Sequence, residues 1–314
     1  MKASRRYILF RLFPVLFLVL FFPGLATGKV LVGVIMTGDI PYYGSMHEAF
    51  VGGLKKKLPA DQDVQFILQR PFPDPIAWSN AARKLIALDV DLIVSYGAPA
   101  THAVLFEKSN IPVVYAGVYE PQASNLKGKS VTGCGYRVPL SSLLRYFKRI
   151  RDIKELRVVY SSTEEDTVRQ MTELVNLAQQ QNINPVRLDI RSHGDLKKLK
   201  SISTNDAVYV TGSSLAHIWI EDIVTALREK NVPAVGIFPD SNEAGMLITL
   251  FQPPGQQGET AAEIAAKIIG GEQAGNIAPE LLRETELVFN LAEAKELGIT
   301  FPIQLIIEAT RVIK

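Results

Sequence analysis

The feature that most limits the fold of this chain is a repeated unit: a short, wholly apolar run followed by an amphipathic stretch with helix-start residues. "VLVGVIM" (30–36), "VQFIL" (64–68), "DLIVSY" (91–96) and "PVVYAG" (112–117) are the runs of the first half. "LRVVYS" (156–161), "AVYVTG" (207–212), "AVGIF" (234–238), "MLITLF" (246–251) and "TELVFN" (285–290) follow in the second. A strand with one wet face alternates apolar and polar residues. A strand without alternation needs cover on both faces, which a parallel sheet flanked by helices supplies. The intervening segments carry helix signals. Ser45 and Glu48 read as a capping box, with Met46, Phe50, Leu54 and Leu58 as the apolar stripe behind it. Asp74-Pro75 reads as a cap followed by a proline in the first turn. A short helix is expected after Pro99, a second capping box at Ser162 and Glu165, and helices over 214–228 and 258–269. Asn290 and Glu293 cap a last short helix that stops at Gly298. Eight or more such units over about 285 residues favour two doubly wound, Rossmann-like α/β lobes over one large sheet. The switch between lobes falls near "VTGCGYRVPL" (131–140).

The first 28 residues differ from the rest. Lys2, Arg5, Arg6 and Arg11 precede the apolar block Leu12 to Phe22, and small residues end the segment at Ala26-Thr27-Gly28. That is the pattern of a secretory signal peptide, and the block is shorter than the roughly 20 residues a membrane-spanning helix needs. The alternative is an uncleaved N-terminal anchor; in both cases the body is exported. Four of the 34 basic residues lie in this segment, so the remainder carries 30 against 32 acidic ones, and no basic stripe points to nucleic acid. Cys134 is the single cysteine, which excludes an internal disulfide and a lipid-bearing cysteine at the end of the signal. The expected place is the periplasm, without a lipid anchor.

Catalytic signatures are missing. Gly128-Lys129-Ser130 has Ala123 where a phosphate-binding loop needs glycine, and Gly133 and Gly135 are followed by Val138 where a dinucleotide fingerprint needs a third glycine. No G-x-S-x-G elbow occurs. His47, His102, His193 and His217 have no metal-ligand spacing. Cys134, lone and in apolar surroundings, fits an inert core thiol better than a nucleophile. The expectation is a protein that is not an enzyme and has no cofactor or metal.

In open parallel sheets, ligands sit beyond the carboxyl ends of the strands. The segments there are "TGDIPYYGS" (37–45), "YGAPATH" (96–102), "GVYEPQASN" (117–125), "SSTEED" (161–166), "TGSSLAH" (211–217) and "FPDSNE" (238–243). Small residues and helix N-termini bring backbone N–H groups to a ligand. Tyr42, Tyr43, Tyr96, Tyr119 and Phe238 offer rings to stack on it. Glu120 and Asp240 offer carboxylates for an ammonium or hydroxyls. Ala98, Pro99, Ser161, Ser162, Gly212 and Ser213 complete the candidate ligand-binding set. Each has a plainer reading, since a tyrosine near a turn commonly packs and a serine before a helix commonly caps.

The stretches "VDLIVSYGAPATHAV" (90–104), "IPVVYAGVYEPQASNL" (111–126), "VTGCGY" (131–136), "NVPAVGIFPDSNEAGML" (231–247), "GQQGETAAEIAAKIIGGE" (255–272) and "ELVFNLAEAKELGITFP" (286–302) occur in an order and spacing that resembles the periplasmic substrate-binding proteins of ABC transporters with the type I scaffold. Within these the chain is similar to the group that includes the tryptophan/tyrosine-type binding components. The resemblance covers nearly the whole chain after the leader. It implies two lobes joined by a hinge of three crossovers, one at 29–135 plus 253–283, the other at 136–252 plus 284–314. It also implies a small-molecule ligand held between them, a monomer, and an ABC permease with its ATPase as partners, so that contact with the membrane is made through the permease or an uncleaved signal. A periplasmic sensor presenting its bound form to a receptor is the alternative role. This sequence departs from the usual family pattern in two places: "TGSSL" (211–215) lacks the customary acidic residue, and Glu120-Pro121 replaces Asp-Pro. Glu120 and Asp240 are then the expected partners of an ammonium, whose burial without a carboxylate is costly.

Overall fold

The computed structural model describes residues 28–239 and 241–314. The expected signal segment and Asp240 therefore lie outside the described residues, apart from Gly28. A six-stranded sheet is formed by β1 (Val30–Met36), β2 (Val64–Gln69), β3 (Leu92–Tyr96), β4 (Val113–Tyr119), β5 (Val131–Tyr136) and β11 (Glu280–Leu282), in the order β11-β5-β4-β3-β1-β2. All its pairings are parallel. A seven-stranded sheet is formed by β6 (Glu155–Tyr160), β7 (Asn184–Asp189), β8 (Asp206–Val210), β9 (Ala234–Gly236), β10 (Ile248–Phe251), β12 (Glu286–Asn290) and β13 (Arg311–Ile313), in the order β13-β12-β10-β9-β8-β6-β7. One pair departs from the parallel expectation: β10 and β12 are antiparallel.

Side-chain alternation explains why the strands read as unbroken apolar runs. Along β1, Val32, Val34 and Met36 bury in one apolar cluster while Ile35 buries in another on the opposite face. Leu92, Val94 and Tyr96 of β3 likewise point away from Ile93. In the second sheet Ala207 and Tyr209 of β8 oppose Val208 and Val210. Each successive residue enters a core, at about 1.5–3 kcal/mol per fully buried large side chain.

The helices that provide this cover are α1 (Pro41–Lys57), α2 (Pro75–Ala87), α3 (Ala98–Phe106), α4 (Leu140–Ile150), α5 (Glu165–Gln180), α6 (Ser214–Ile218), α7 (Ile220–Arg228), α8 (Ser241–Ala244), α9 (Pro254–Ile269), α10 (Leu291–Glu296) and α11 (Ile303–Ile306). Asp74 caps α2, accepting from the Ile76 and Ala77 N–H groups, and Asn290 caps α10, accepting from the Glu293 N–H. The other two expected boxes do not form. Helix α1 begins four residues earlier than Ser45, at Pro41, whose fixed φ suits a first turn. Ser162 gives its hydroxyl to Asp189, and α5 begins after Glu164. The expected helix over 214–228 is split at Trp219 into α6 and α7. "VTGCGY" forms the buried strand β5.

Helix α9 returns after the second sheet has been started and packs on α1 of the first. The approach is close enough that a Cβ on Gly258 would lie 2.2 Å from the Met46 carbonyl oxygen. A Cβ on Gly53 would lie 3.0 Å from the Ala262 methyl. This contact fixes the height of α1, and with it the two tyrosines in its first turn.

Candidate functional site

The carboxyl ends of the two sheets face each other across a seam, and an aromatic cluster fills its centre. Pro41 starts α1, so Tyr42 and Tyr43 stand on its first turn, both no more than 2% exposed. The Tyr42 ring stacks on Phe238, which follows β9 of the other sheet, with centroids 4.0 Å apart and planes 14° from parallel. Tyr42 meets Tyr43 edge-on at 5.4 Å and Tyr136 at 6.3 Å. Tyr136 meets Tyr119 at 5.7 Å, and Tyr43 lies parallel to Tyr96 at 6.5 Å. Polar groups behind the rings hold them in place. Gln257 of α9 donates from Nε2 to the Tyr42 hydroxyl at 2.7 Å, and its Oε1 accepts from the Gly117 N–H at 2.8 Å. His47 Nδ1 lies 3.2 Å from the Tyr96 hydroxyl. His217 packs against Phe238 at 4.7 Å, with its nitrogens on the Ser213 carbonyl and the Ser241 hydroxyl. Gly97 permits the turn from β3 into α3: its φ is +87°, and a Cβ there would fall 2.5 Å from the Tyr43 hydroxyl oxygen.

The polar side of the seam is built by α5. Glu164, just before the helix, is 1% exposed and accepts from the Ser213 hydroxyl at 2.6 Å, the Ser214 N–H at 2.8 Å and the Leu215 N–H at 3.1 Å. Its carboxylate thus supplies the anion that the N-terminus of α6 favours. Burial nevertheless pushes its pKa up. Asp166, in the first turn, is 3% exposed, and its Oδ1 has no hydrogen-bond partner. Burial, then the neighbouring Glu164, raises its pKa to about 7. Burial, then the Asp166 charge, holds the Tyr43 hydroxyl well above the usual tyrosine range; burial, then the Tyr42 and Tyr43 hydroxyls ahead of Asp166, do the same for Tyr136. One helical turn on, Gln170 accepts from the Gly212 N–H at 2.8 Å while its buried Nε2 donor has no partner. An unmade hydrogen bond at a buried polar atom costs about 1–3 kcal/mol. Two such atoms, an acceptor and a donor on one helix face, are suited to a molecule carrying both a donor or cation and an acceptor.

Most residues expected from the sequence lie at this seam. Tyr42, Tyr43, Tyr96, Ala98, Tyr119, Ser161, Gly212 and Ser213 are all buried there. Several have local duties: Ser213 caps α6, Ser161 pairs with Thr163 at 2.8 Å, and the Tyr119 hydroxyl donates to Glu173 at 3.1 Å. Two expectations are corrected. Ser162 is exposed and turned to Asp189. Glu120 has φ +48° and spends its carboxylate on Arg137 at 2.8 Å, so it is not a free partner for an ammonium. Pro99 lines a 380 Å³ cavity at the rim with Trp78, His102 and Phe106 from one side and Thr163 from the other. The sequence alone does not single out Asp166, Gln170, Glu164 or Gln257, although Glu164 and Asp166 lie in the segment 161–166 expected beyond its strand. Asp166 and Gln170 sit four apart on α5, on the side it buries with Thr167, Met171 and Leu174. Among the described residues, no three His, Cys, Asp or Glu side chains are placed to hold a metal ion, and no helix is long and apolar enough to cross a membrane.

The family model described as ABC transporter substrate binding protein matches residues 34–313. The tyrosine-binding protein of Clostridioides difficile (strain R20291) is 22% identical over 278 residues, covering 85% of this chain and 81% of that protein. Among solved structures, a conserved domain protein from Vibrio cholerae is 24% identical, with a TM-score of 0.86 over 91% of this chain and 100% of that one. An ABC domain from Streptococcus pneumoniae in complex with L-Trp is 20% identical, with a TM-score of 0.84 over the same shares of the two chains. The likeness of fold extends over both sheets. The family match takes in nearly every element described above, and the chain belongs to the ABC transporter substrate-binding proteins.

Proposed function

We propose that this chain is the exported solute-binding component of an ABC importer, and that it traps a small aromatic α-amino acid between its two lobes. The carrying observation is the unpartnered Asp166 Oδ1, buried beside Tyr43 and Tyr136 and one turn from the unpartnered Gln170 Nε2. An ammonium supplies what Asp166 lacks, a carboxylate accepts from Gln170, and the cluster of Tyr42, Tyr43 and Phe238 offers a flat side chain an aromatic wall to lie against. The names of two similar proteins, one binding tyrosine and one solved with L-Trp, support this class of solute. Asp166 takes the role that the sequence assigned to Glu120 and Asp240. The mechanism is conformational: contacts from both lobes favour the shut arrangement, which docks on a permease with its ATPase. We take the lobes as 29–135 plus 253–283 and 136–252 plus 284–314, the signal as residues 1–28, and the protein as a periplasmic monomer.

Isothermal titration with L-tyrosine, L-tryptophan and L-phenylalanine tests the solute class. Tyramine and 3-(4-hydroxyphenyl)propionate serve as analogues lacking the carboxylate and the amine. At least one amino acid is expected to bind, with the amine-free analogue weaker by about 30-fold or more, the loss typical of breaking a buried charge pair. Equal binding of the amine-free analogue would refute the role of Asp166.

A further inference from the structure

Helix α5 carries more across the seam than the two atoms assigned to the solute. Asp166, Arg169, Gln170 and Glu173 are spaced i, i+3, i+4 and i+7, one stripe of the helix. The first and third face the aromatic cluster. The second and fourth reach the other lobe's backbone and side chains directly. Arg169 donates from Nη2 to the Tyr119 carbonyl at 3.2 Å and to the Ser124 hydroxyl, while its Nη1 is held by Glu165 at 2.7 Å. Glu173 Oε2 accepts from the Tyr119 hydroxyl at 3.1 Å. Tyr119 is fully buried and Ser124 is 1% exposed, so these bonds are shielded from water on the partner side. Glu165 Oε2 also lies 3.2 Å from His102 Nε2 on α3, an exposed pair without hydrogen-bond geometry that adds little.

We propose that Arg169 and Glu173 form an interlobe clasp that sets how long the lobes stay shut, and hence how long a solute is held, without touching the solute. The inference rests on the reading above for the identity of the solute but not for the clasp itself. Its logic is positional. The residues that meet the solute and those that meet the far lobe share one rigid helix, so seating α5 against a solute seats Arg169 on Tyr119 at the same time. Opening the seam breaks a guanidinium–carbonyl bond, a guanidinium–hydroxyl bond and a phenol–carboxylate bond together. Residues that act on the shut state alone change dissociation and leave association nearly unaltered.

The test uses Arg169→Gln and Glu173→Gln, with Arg169→Lys as the conservative variant that retains one donor, all in the full-length secreted protein. Stopped-flow dissociation of the bound amino acid is expected to be about 10-fold faster or more in the two Gln variants, with association within about twofold and Arg169→Lys intermediate. Spin labels at the exposed positions Leu88 and Ile307, one on each lobe, report the interlobe distance by pulsed resonance. The Gln variants should lose short-distance population relative to the unsubstituted protein. Unchanged dissociation in both Gln variants, or equal distance distributions in all four proteins, would overturn the clasp. If none of the three amino acids binds, the substrate class fails and the label distances alone decide the clasp.

Discussion

Replacing Asp166 by Asn probes the site and its electrostatics at once. Moving a buried carboxyl from its ordinary 3.8 to about 7 means that its ionised form is disfavoured by on the order of 4 kcal/mol relative to the unfolded chain. The folded pKa is raised, so the stability this group contributes is full below about pH 4 and is lost as pH rises through about 7. The solute-free protein should therefore lose stability over that window, and Asp166→Asn should lose less of it. The difference between the two is the quantity to follow, because the raised pKa of Glu164 acts in the same direction in both. Denaturant unfolding at pH 5, 6, 7 and 8 should show the variant gaining on the wild type by about 2–3 kcal/mol across the series. Binding should move the opposite way. An ammonium requires the charged carboxylate, so wild-type affinity should rise as pH climbs toward 7, with proton release detectable by titration in buffers of different ionisation enthalpy. The variant should bind weaker by about 2 kcal/mol or more at pH 8 and show no such release. Parallel stability curves, or equal affinities at pH 8, would refute the assignment of Asp166 as the ammonium partner.

Phe238→Ala removes the face on which Tyr42 stacks. It should lower unfolding free energy by about 3–5 kcal/mol and weaken solute binding by more than 1 kcal/mol, read by denaturant titration and calorimetry. Gln257→Ala takes away the acceptor of the Gly117 N–H and a partner of the Tyr42 hydroxyl, costing about 1–3 kcal/mol in the same unfolding assay. Gly258→Ala puts a methyl 2.2 Å from the Met46 carbonyl oxygen, so α9 must move off α1; a loss of about 1–3 kcal/mol is expected, larger than for Gly255→Ala, where a Cβ meets nothing within 4 Å.

Much of the fold was legible because the strands are doubly covered. Apolar continuity in "VLVGVIM" or "AVYVTG" has few explanations other than burial on both faces, and the two sheets bear it out. The strand "VTGCGY" escaped notice because its glycines mimic a loop; they are there because β4 and β5 approach too closely for a Cβ, which at Gly133 would lie 2.1 Å from the Tyr115 carbonyl oxygen. Ser45 and Ser162 look like caps by spacing alone, yet Pro41 starts one helix earlier and Asp189, 27 residues away, captures the other serine. The aromatic wall was readable, since tyrosines beyond strand ends have one side of the sheet to occupy. The polar wall was not. Asp166 and Gln170 lie on a helix whose exposed residues read as an ordinary solvated face, and the Gly212 N–H that meets Gln170 is 42 residues away in sequence. Glu120 had the right chemistry in the right loop, but Arg137 reaches it first.

Neither half of this molecule is a contiguous length of chain. The first sheet takes its edge strand from residues 280–282 and the helix that positions Tyr42 from 254–269, while the second waits for 286–290 and 311–313. During synthesis the first sheet therefore stays unfinished until residue 282 and the second until residue 313. A single cut at residue 252 would leave two broken pieces in place of two working ones, because the first sheet would lose its edge strand and the helix behind Tyr42, and the second would lose β12 and β13.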